Sequence, residues 1–188
     1  MEIRRAGPGD GDVLGEIHAA AWQVAYAPFF EPGFAARAVA DRRTRWHRRV
    51  AEEAGSGSGA GAASGSGSGA GAAVTLLAVV DGRPLALSVT LPSASRPDFA
   101  EIASFYAHPD GWGTGVAAAL MDETLRGLRT KGYAGVHLWT LRDTPQSRRF
   151  YVKCGFAECG TARAFDFGEG NLLEQVEYAR PLAAGTAG

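Results

Sequence analysis

One stretch constrains the fold more than any other: Gly111-Trp112-Gly113-Thr114-Gly115-Val116-Ala117, a glycine turn set between a strand-like run and an amphipathic helix. Ahead of it, Phe99–His108 reads as a strand that Pro109-Asp110 ends. Behind it, Val116, Leu120, Met121, Thr124, Leu125 and Leu128 recur at helical spacing from about Gly113 to Thr130, and Lys131-Gly132 supplies a stop. A helix that begins on such a turn leaves its first amides unpaired, and the glycines let a ligand approach the backbone closely. That is the context of a diphosphate cradle. Two kinds of nucleotide-type cofactor satisfy it, because Gly113-Thr114-Gly115-Val116-Ala117-Ala118 also fits the dinucleotide fingerprint G-x-G-x-x-G/A, with Asp143 at the end of the following strand as a ribose-binding acid. A tight turn that binds nothing is the third reading.

The remaining elements bear on that choice. Met1–Ala6 alternates as a first strand, and Asp10 or Asp12 caps a helix to about Tyr26, which Pro28 and Pro32 break. A second helix is expected over about Gly33–Glu53. It carries Arg37, Arg42, Arg43, Arg45, Arg48 and Arg49, read as a solvated face with acidic partners rather than a phosphate patch. Val74–Val80, the turn Asp81-Gly82-Arg83 and Pro84–Leu91 form a hairpin. Val136–Leu141 is a strand, Asp143-Thr144-Pro145 opens a short helix to about Cys154, and Ala157–Phe167 and Leu173–Ala179 are final strands joined by Gly168-Glu169-Gly170-Asn171. The order is β-α-α-β-β-β-α-β-α-β-β. It predicts an α/β (α+β) fold with a central mixed sheet flanked by helices. Hairpins at both ends, with only 45 residues beyond Asp143, argue against the repeated βαβ units of a dinucleotide fold.

Residues 54–73 contain only Gly, Ala and Ser, and GSGSGAGAA occurs in them twice. Nothing there can be buried to offset ordering entropy, so a disordered loop is expected inside one domain spanning 1–181, with 182–188 a flexible tail. With 19 Lys and Arg against 20 Asp and Glu, the chain shows no basic footprint for nucleic acid. No window has membrane-spanning length, and the cytoplasm is the expected compartment. Cys154 and Cys159 lack nearby histidines and read as free thiols, with no metal site.

Glu101–Met121, EIASFYAHPDGWGTGVAAALM, resembles the acyl-CoA-binding motif Q/R-x-x-G-x-G/A of the GNAT N-acetyltransferase superfamily. Ser147–Phe156, SRRFYVKCGF, resembles its second signature, and IHAAAWQVAYAPFFEP is similar to the first helix and turn of bacterial members. Two departures stand out: Trp112 replaces the first Gln or Arg, and Thr144 replaces an Asn frequent on the second-motif helix. The resemblance implies a GNAT-like fold. It also implies transfer of an acetyl (acyl) group from acetyl-CoA, without a metal, to a primary amine of a small molecule or peptide by direct attack. The alternative is a catalytically silent acyl-CoA-binding domain. Phe105, Tyr106 and Ala107 would pair with the pantetheine arm, and one of their amides would polarise the thioester carbonyl. Backbone amides of Trp112, Gly113, Thr114, Gly115, Val116 and Ala117 would hold the diphosphate, with the Trp112 side chain free and the Thr114 hydroxyl adding a contact. Thr144 and Ser147 belong to the second motif. Tyr151 would be the general acid and Glu101 the base, the latter sharing a strand face with Phe105 unless a bulge intervenes. Trp22, Tyr26, Phe29, Phe30 and the Gly168–Asn171 loop would frame the acceptor. Dimers are common among proteins of this resemblance, so a homodimer is one expected assembly.

Overall fold

Asp81 and Gly82 both adopt left-handed backbone conformations, with φ of 51° and 78°. This is the two-residue turn whose twist suits a hairpin, and it joins β2 (Val74–Val80) to β3 (Arg83–Pro92). A computed structural model describes residues 1–57 and 73–182 of the chain. In it β1 (Glu2–Arg5) pairs with β2, β4 (Phe99–Ala107) with β3, β7 (Leu172–Pro181) with β5 (Gly135–Leu141), and β6 (Ala157–Asp166) with β7. All these pairings are antiparallel; β4 and β5 are parallel. The strand order β1-β2-β3-β4-β5-β7-β6 makes a seven-stranded mixed sheet, which removes the repeated parallel βαβ reading.

Helices cover both faces of the sheet: α1 (Gly11–Ala25), α2 (Pro32–Thr44) and α3 (Trp46–Gly57) on one, α4 (Val116–Thr130) and α5 (Pro145–Lys153) on the other. Alternation along the strands supplies both cores. Leu77, Leu87 and Val89 pack with Leu14, Ile17, Trp46 and Val50, whereas Ala100, Ile102, Val136 and Leu138 pack with Met121, Leu125 and Leu128.

The single helix expected over Gly33–Glu53 is two helices that break at Arg45. The break separates two apolar sets. Phe34, Ala35, Ala38 and Val39 pack around Trp22, while Trp46 and Val50 join the cluster beneath α1. Helix α3 runs to Gly57, so 54–57 is helical rather than loop. The rest of the expected loop up to 72, and 183–188 of the expected tail, lie outside the described residues.

Two irregularities in β4 shape the site. Val89 pairs with Ser104 but Thr90 pairs with Ile102, so Ala103 is an extra, bulged residue. The β4–β5 ladder also ends at Ile102, opposite Leu138, although β4 continues to Ala107. From that level the two strands part, leaving one edge of β4 unpaired.

Candidate active site

The glycine turn sits at the end of that unpaired edge. Gly113 and Gly115 have φ of 77° and 88°, a region that L side chains rarely adopt, and a Cβ on either would meet nothing within 4 Å. Glycine is needed here for backbone conformation, and the space in front stays open. The amides of Gly113, Gly115, Ala117 and Ala118 have no acceptor among the described residues. Gly111 is a packing glycine instead: its Cβ would lie 3.0 Å from Val116 Cγ1 and 3.4 Å from Leu85.

In front of the turn lies a cavity of about 810 Å³. It gathers Phe105, Tyr106 and Ala107 from β4, Trp112, Gly113, Gly115 and Ala117 from the turn, Thr144, Ser147 and Tyr151 around α5, and Tyr26 and Phe29 beyond α1. Several side chains expected to contact a cofactor are engaged within the protein instead. The Thr114 hydroxyl donates to the Gly111 carbonyl at 2.8 Å, bracing the turn from within. Val116 is buried with Leu120 and Leu85. The Trp112 side chain is not free, since its Nε1–H donates to the Ala107 carbonyl at 2.9 Å and ties the turn to the end of β4. The Thr144 hydroxyl turns inward and donates to Leu141 O at 2.8 Å.

Trp22 and Phe30 are packing residues as well. Their rings stack at 5.3 Å, with Trp22 only 1% exposed and Tyr26 stacked at 6.0 Å. The β6–β7 loop does reach this corner: Phe167 lies 5.5 Å from Phe30, and Glu169 pairs with Arg37 at 2.8 Å.

Glu101 is the largest departure. Ala100 and Ile102 face the α4 core, so Glu101 faces the α1 side. The bulge at Ala103 then shifts the alternation, so that Phe105 packs on Phe150 at 5.5 Å in the α4–α5 core, and Tyr106 stacks on His18 of α1 at 4.1 Å. Glu101 and Phe105 therefore occupy opposite faces, Glu101 shares its side with Tyr106, and it is not a lining residue of the cavity. In register beside it, His137 lies at the foot of the diverging strands. Its Nε2 is 2.7 Å from Ser93 Oγ, and its Nδ1 is 2.9 Å from Glu177 Oε1, near enough for an ion pair but off line for a hydrogen bond. Arg96 pairs with the other Glu177 oxygen at 2.8 Å. These side chains clamp the β3–β4 connection onto β5 and β7.

Three phenols, Tyr26, Tyr106 and Tyr151, line the cavity and form no hydrogen bond among the described residues. Burial pushes all three above the ordinary phenol range. For Tyr151 burial dominates, and the neighbouring Tyr106 and Cys154 add to it. Tyr151 is thus a neutral O–H donor at physiological pH. Gln146, Arg149 and Lys153 also line the cavity and were not expected there, as does Asp143, which only the dinucleotide reading nominates. Arg149 and Lys153 are four apart on α5, hence on one helix face, and neither has an ion pair among the described residues. That spacing was the available signal.

The arginine-rich face is solvated only in part. Arg37, Arg43 and Arg45 pair with Glu169, Glu16 and Asp41 respectively, but Arg42 is buried. Cys154 and Cys159 are free thiols, and burial raises the former. Among the described residues no helix is long and apolar enough to cross a membrane.

Residues 22–156 match the model of the Acetyltransferase (GNAT) family. No curated protein sequence matches the chain. Among solved structures, it is similar to PaiA N-acetyltransferase from Thermoplasma acidophilum in complex with coenzyme A, at 17% identity and a TM-score of 0.67 over 94% of this chain and 96% of that one. Ribosomal-protein-alanine N-acetyltransferase from Brucella melitensis gives 17% identity and a TM-score of 0.68 over 97% and 100%. Ribosomal-protein-S18-alanine N-acetyltransferase from Escherichia coli gives 17% and 0.62 over 96% and 93%. At such identities the structural likeness speaks for the fold.

Proposed function

The chain belongs to the GNAT acetyltransferase family, an acyl-CoA-dependent class of enzyme, and on that premise we propose that it moves an acetyl group from acetyl-CoA to a primary amine by direct attack. One observation carries the reading: the unpaired amides of the glycine turn, the unpaired edge of β4 and the Tyr151 phenol all open on one cavity.

The residues present suit coenzyme A. Its diphosphate calls for convergent N–H donors at a helix start, which Gly113, Gly115, Ala117 and Ala118 supply. Arg149 and Lys153 add positive charge to the same cavity and would pair with a further phosphate, whereas the Thr114 hydroxyl and the Trp112 indole are spent on nearby carbonyls. The edge of β4 from Ala103 to Ala107 offers backbone groups to the amides of the pantetheine arm, as a neighbouring strand would. An amide on that edge polarises the thioester carbonyl.

Tyr151 hands its proton to the departing thiolate; burial keeps it protonated beforehand. The acceptor must arrive with a neutral nitrogen, whereas a free alkylamine titrates near 10 or above. Glu101 lies outside the cavity on the α1 side of β4, so it takes up the acceptor's proton only through water.

Thiol release from acetyl-CoA with a panel of primary amines tests the reading. Wild-type protein turns over, and Tyr151→Phe is slower by about 100-fold or more at saturating acetyl-CoA. Acetyl-CoA binding without thiol release for any amine refutes transfer and leaves the silent-domain alternative. Full activity in Tyr151→Phe removes the acid role, and an unchanged rate and pH profile in Glu101→Gln removes the base role.

A further inference from the structure

The interior between α1 and α2 holds more hydrogen-bond donors than it can satisfy. Arg42 is 6% exposed, and its guanidinium lies over the Trp22 ring at 4.1 Å. It donates from Nη1 to the Ala38 carbonyl at 2.8 Å, while its Nε has no acceptor among the described residues. No carboxylate among the described residues pairs with it. Trp22 Nε1 and His18 Nε2 are likewise buried without a partner among the described residues. Stacking on Trp22 offsets part of the cost of burying a guanidinium, but no described neighbour supplies the negative charge that such burial ordinarily demands.

This cation stands behind the cavity wall. Tyr26 and Tyr106 line the cavity with hydroxyls that form no hydrogen bond among the described residues; Tyr26 stacks at 6.0 Å on the Trp22 ring that Arg42 covers, and Tyr106 lies 6.4 Å from Tyr26. Arg45, paired with Asp41, and Arg49 act on Tyr106 and on His18 from the same side. This end of the cavity therefore offers O–H donors backed by positive potential.

We propose that the acceptor is an aminocarboxylate: an amine that carries a carboxylate close to the nitrogen to be acetylated. The hydroxyls of Tyr26 and Tyr106 donate to the carboxylate, and Arg42 supplies the counter-charge behind them. This substrate class rests on the transfer reading above. The same field selects against acceptors with a second ammonium group, because like charges repel in a low-dielectric wall.

The test reads binding apart from turnover. With coenzyme A present, N-acetylglycine, N-acetylalanine and N-acetylphenylalanine are titrated calorimetrically into the full chain, each beside its uncharged carboxamide. At least one carboxylate is expected to bind about 10- to 100-fold more tightly than its amide, the range of a charge-assisted hydrogen bond. Arg42→Met should erase that ratio without altering affinity for coenzyme A, and Arg42→Lys should retain part of it. Where Arg42→Met fails to fold, Tyr26→Phe lowers the same ratio. Equal binding of acid and amide throughout overturns the proposal, as does faster acetylation of 1,4-diaminobutane than of every amino acid. Preferential carboxylate binding with no thiol release for any amine upholds this site and overturns the transfer reading instead.

Discussion

Acid should loosen this protein through His18. The imidazole is buried on α1, stacked on Tyr106 at 4.1 Å, and its Nδ1 accepts the Trp46 indole N–H at 3.1 Å. Burial, and then the charges of Arg42, Arg45 and Arg49, hold its pKa down to about 2. Protonation would place a hydrogen on Nδ1, where the Trp46 N–H already points, and would put a second cation beside the arginines. An unfolded histidine titrates near 6.5. Below that pH the unfolded chain binds a proton that the native state refuses, so stability is full above about 6.5 and falls as the pH drops towards 2. The slope is about 1.4 kcal/mol per pH unit, which removes about 2 kcal/mol by pH 5. That is a sizeable part of the 5–15 kcal/mol typical of a domain.

Urea denaturation followed by tryptophan fluorescence at pH 8, 6.5 and 5 measures the effect, because Trp22 and Trp46 are both buried. His18→Gln keeps an oxygen that can accept from Trp46 but cannot gain a proton. It should cost about 1–2 kcal/mol at pH 8 through the lost ring stacking. Its further decline to pH 5 should be about 2 kcal/mol smaller than that of the wild type. Carboxylates held low, such as Asp10 beside Arg4, lose their stabilisation at still lower pH and do so equally in both proteins. Parallel declines, agreeing within about 0.5 kcal/mol, would refute the reasoning.

Gly115→Ala places an L side chain at φ 88° and should cost about 1–2 kcal/mol. Because the added Cβ projects into open space in front of the turn, the variant should also show a reduced thermal shift with acetyl-CoA; an unchanged shift would separate the turn from the cofactor. Arg149→Glu with Lys153→Glu should raise the KM for acetyl-CoA about tenfold or more at low salt, less at high salt, and leave kcat intact. A salt-independent loss of kcat would contradict a charge-only role at the cavity mouth.

Local signals were enough for much of this fold. The seven strands and their succession along the chain were legible because hairpin glycines and apolar runs are local, and α4 because its apolar stripe lies within one helix. Tyr151 was legible because its neighbours Phe150, Gly155 and Phe156 carry a recognisable pattern. The break at Arg45 was not: nothing in 33–53 but a change of packing partner, from Trp22 to the α1–β3 cluster, distinguishes Thr44 from its neighbours. Nor could a charge count say which of six arginines turns inward. Only the tertiary position of Trp22 selects Arg42. For the same reason a motif could nominate Trp112 and Thr114 but not foresee that each spends its side chain on a carbonyl nearby.

The bulge at Ala103 explains why the two sides of the site were hardest to assign. EIASFYA has no glycine or proline to announce an irregularity, and simple alternation puts Glu101 with Phe105. One extra residue against β3 turns Phe105 and Ala107 to the α4–α5 side and Tyr106 to the α1 side. It does so next to Ile102, the last residue of β4 that pairs with β5. Where the parallel ladder ends and a wall of the cavity opens, the alternation of β4 is reset. The unpaired edge of β4 thus begins at the level where Tyr106 turns towards Tyr26. A single inserted residue therefore lets one strand present cavity residues to both sides of the sheet, and Glu101, ahead of the insertion, is not among the residues that line the cavity.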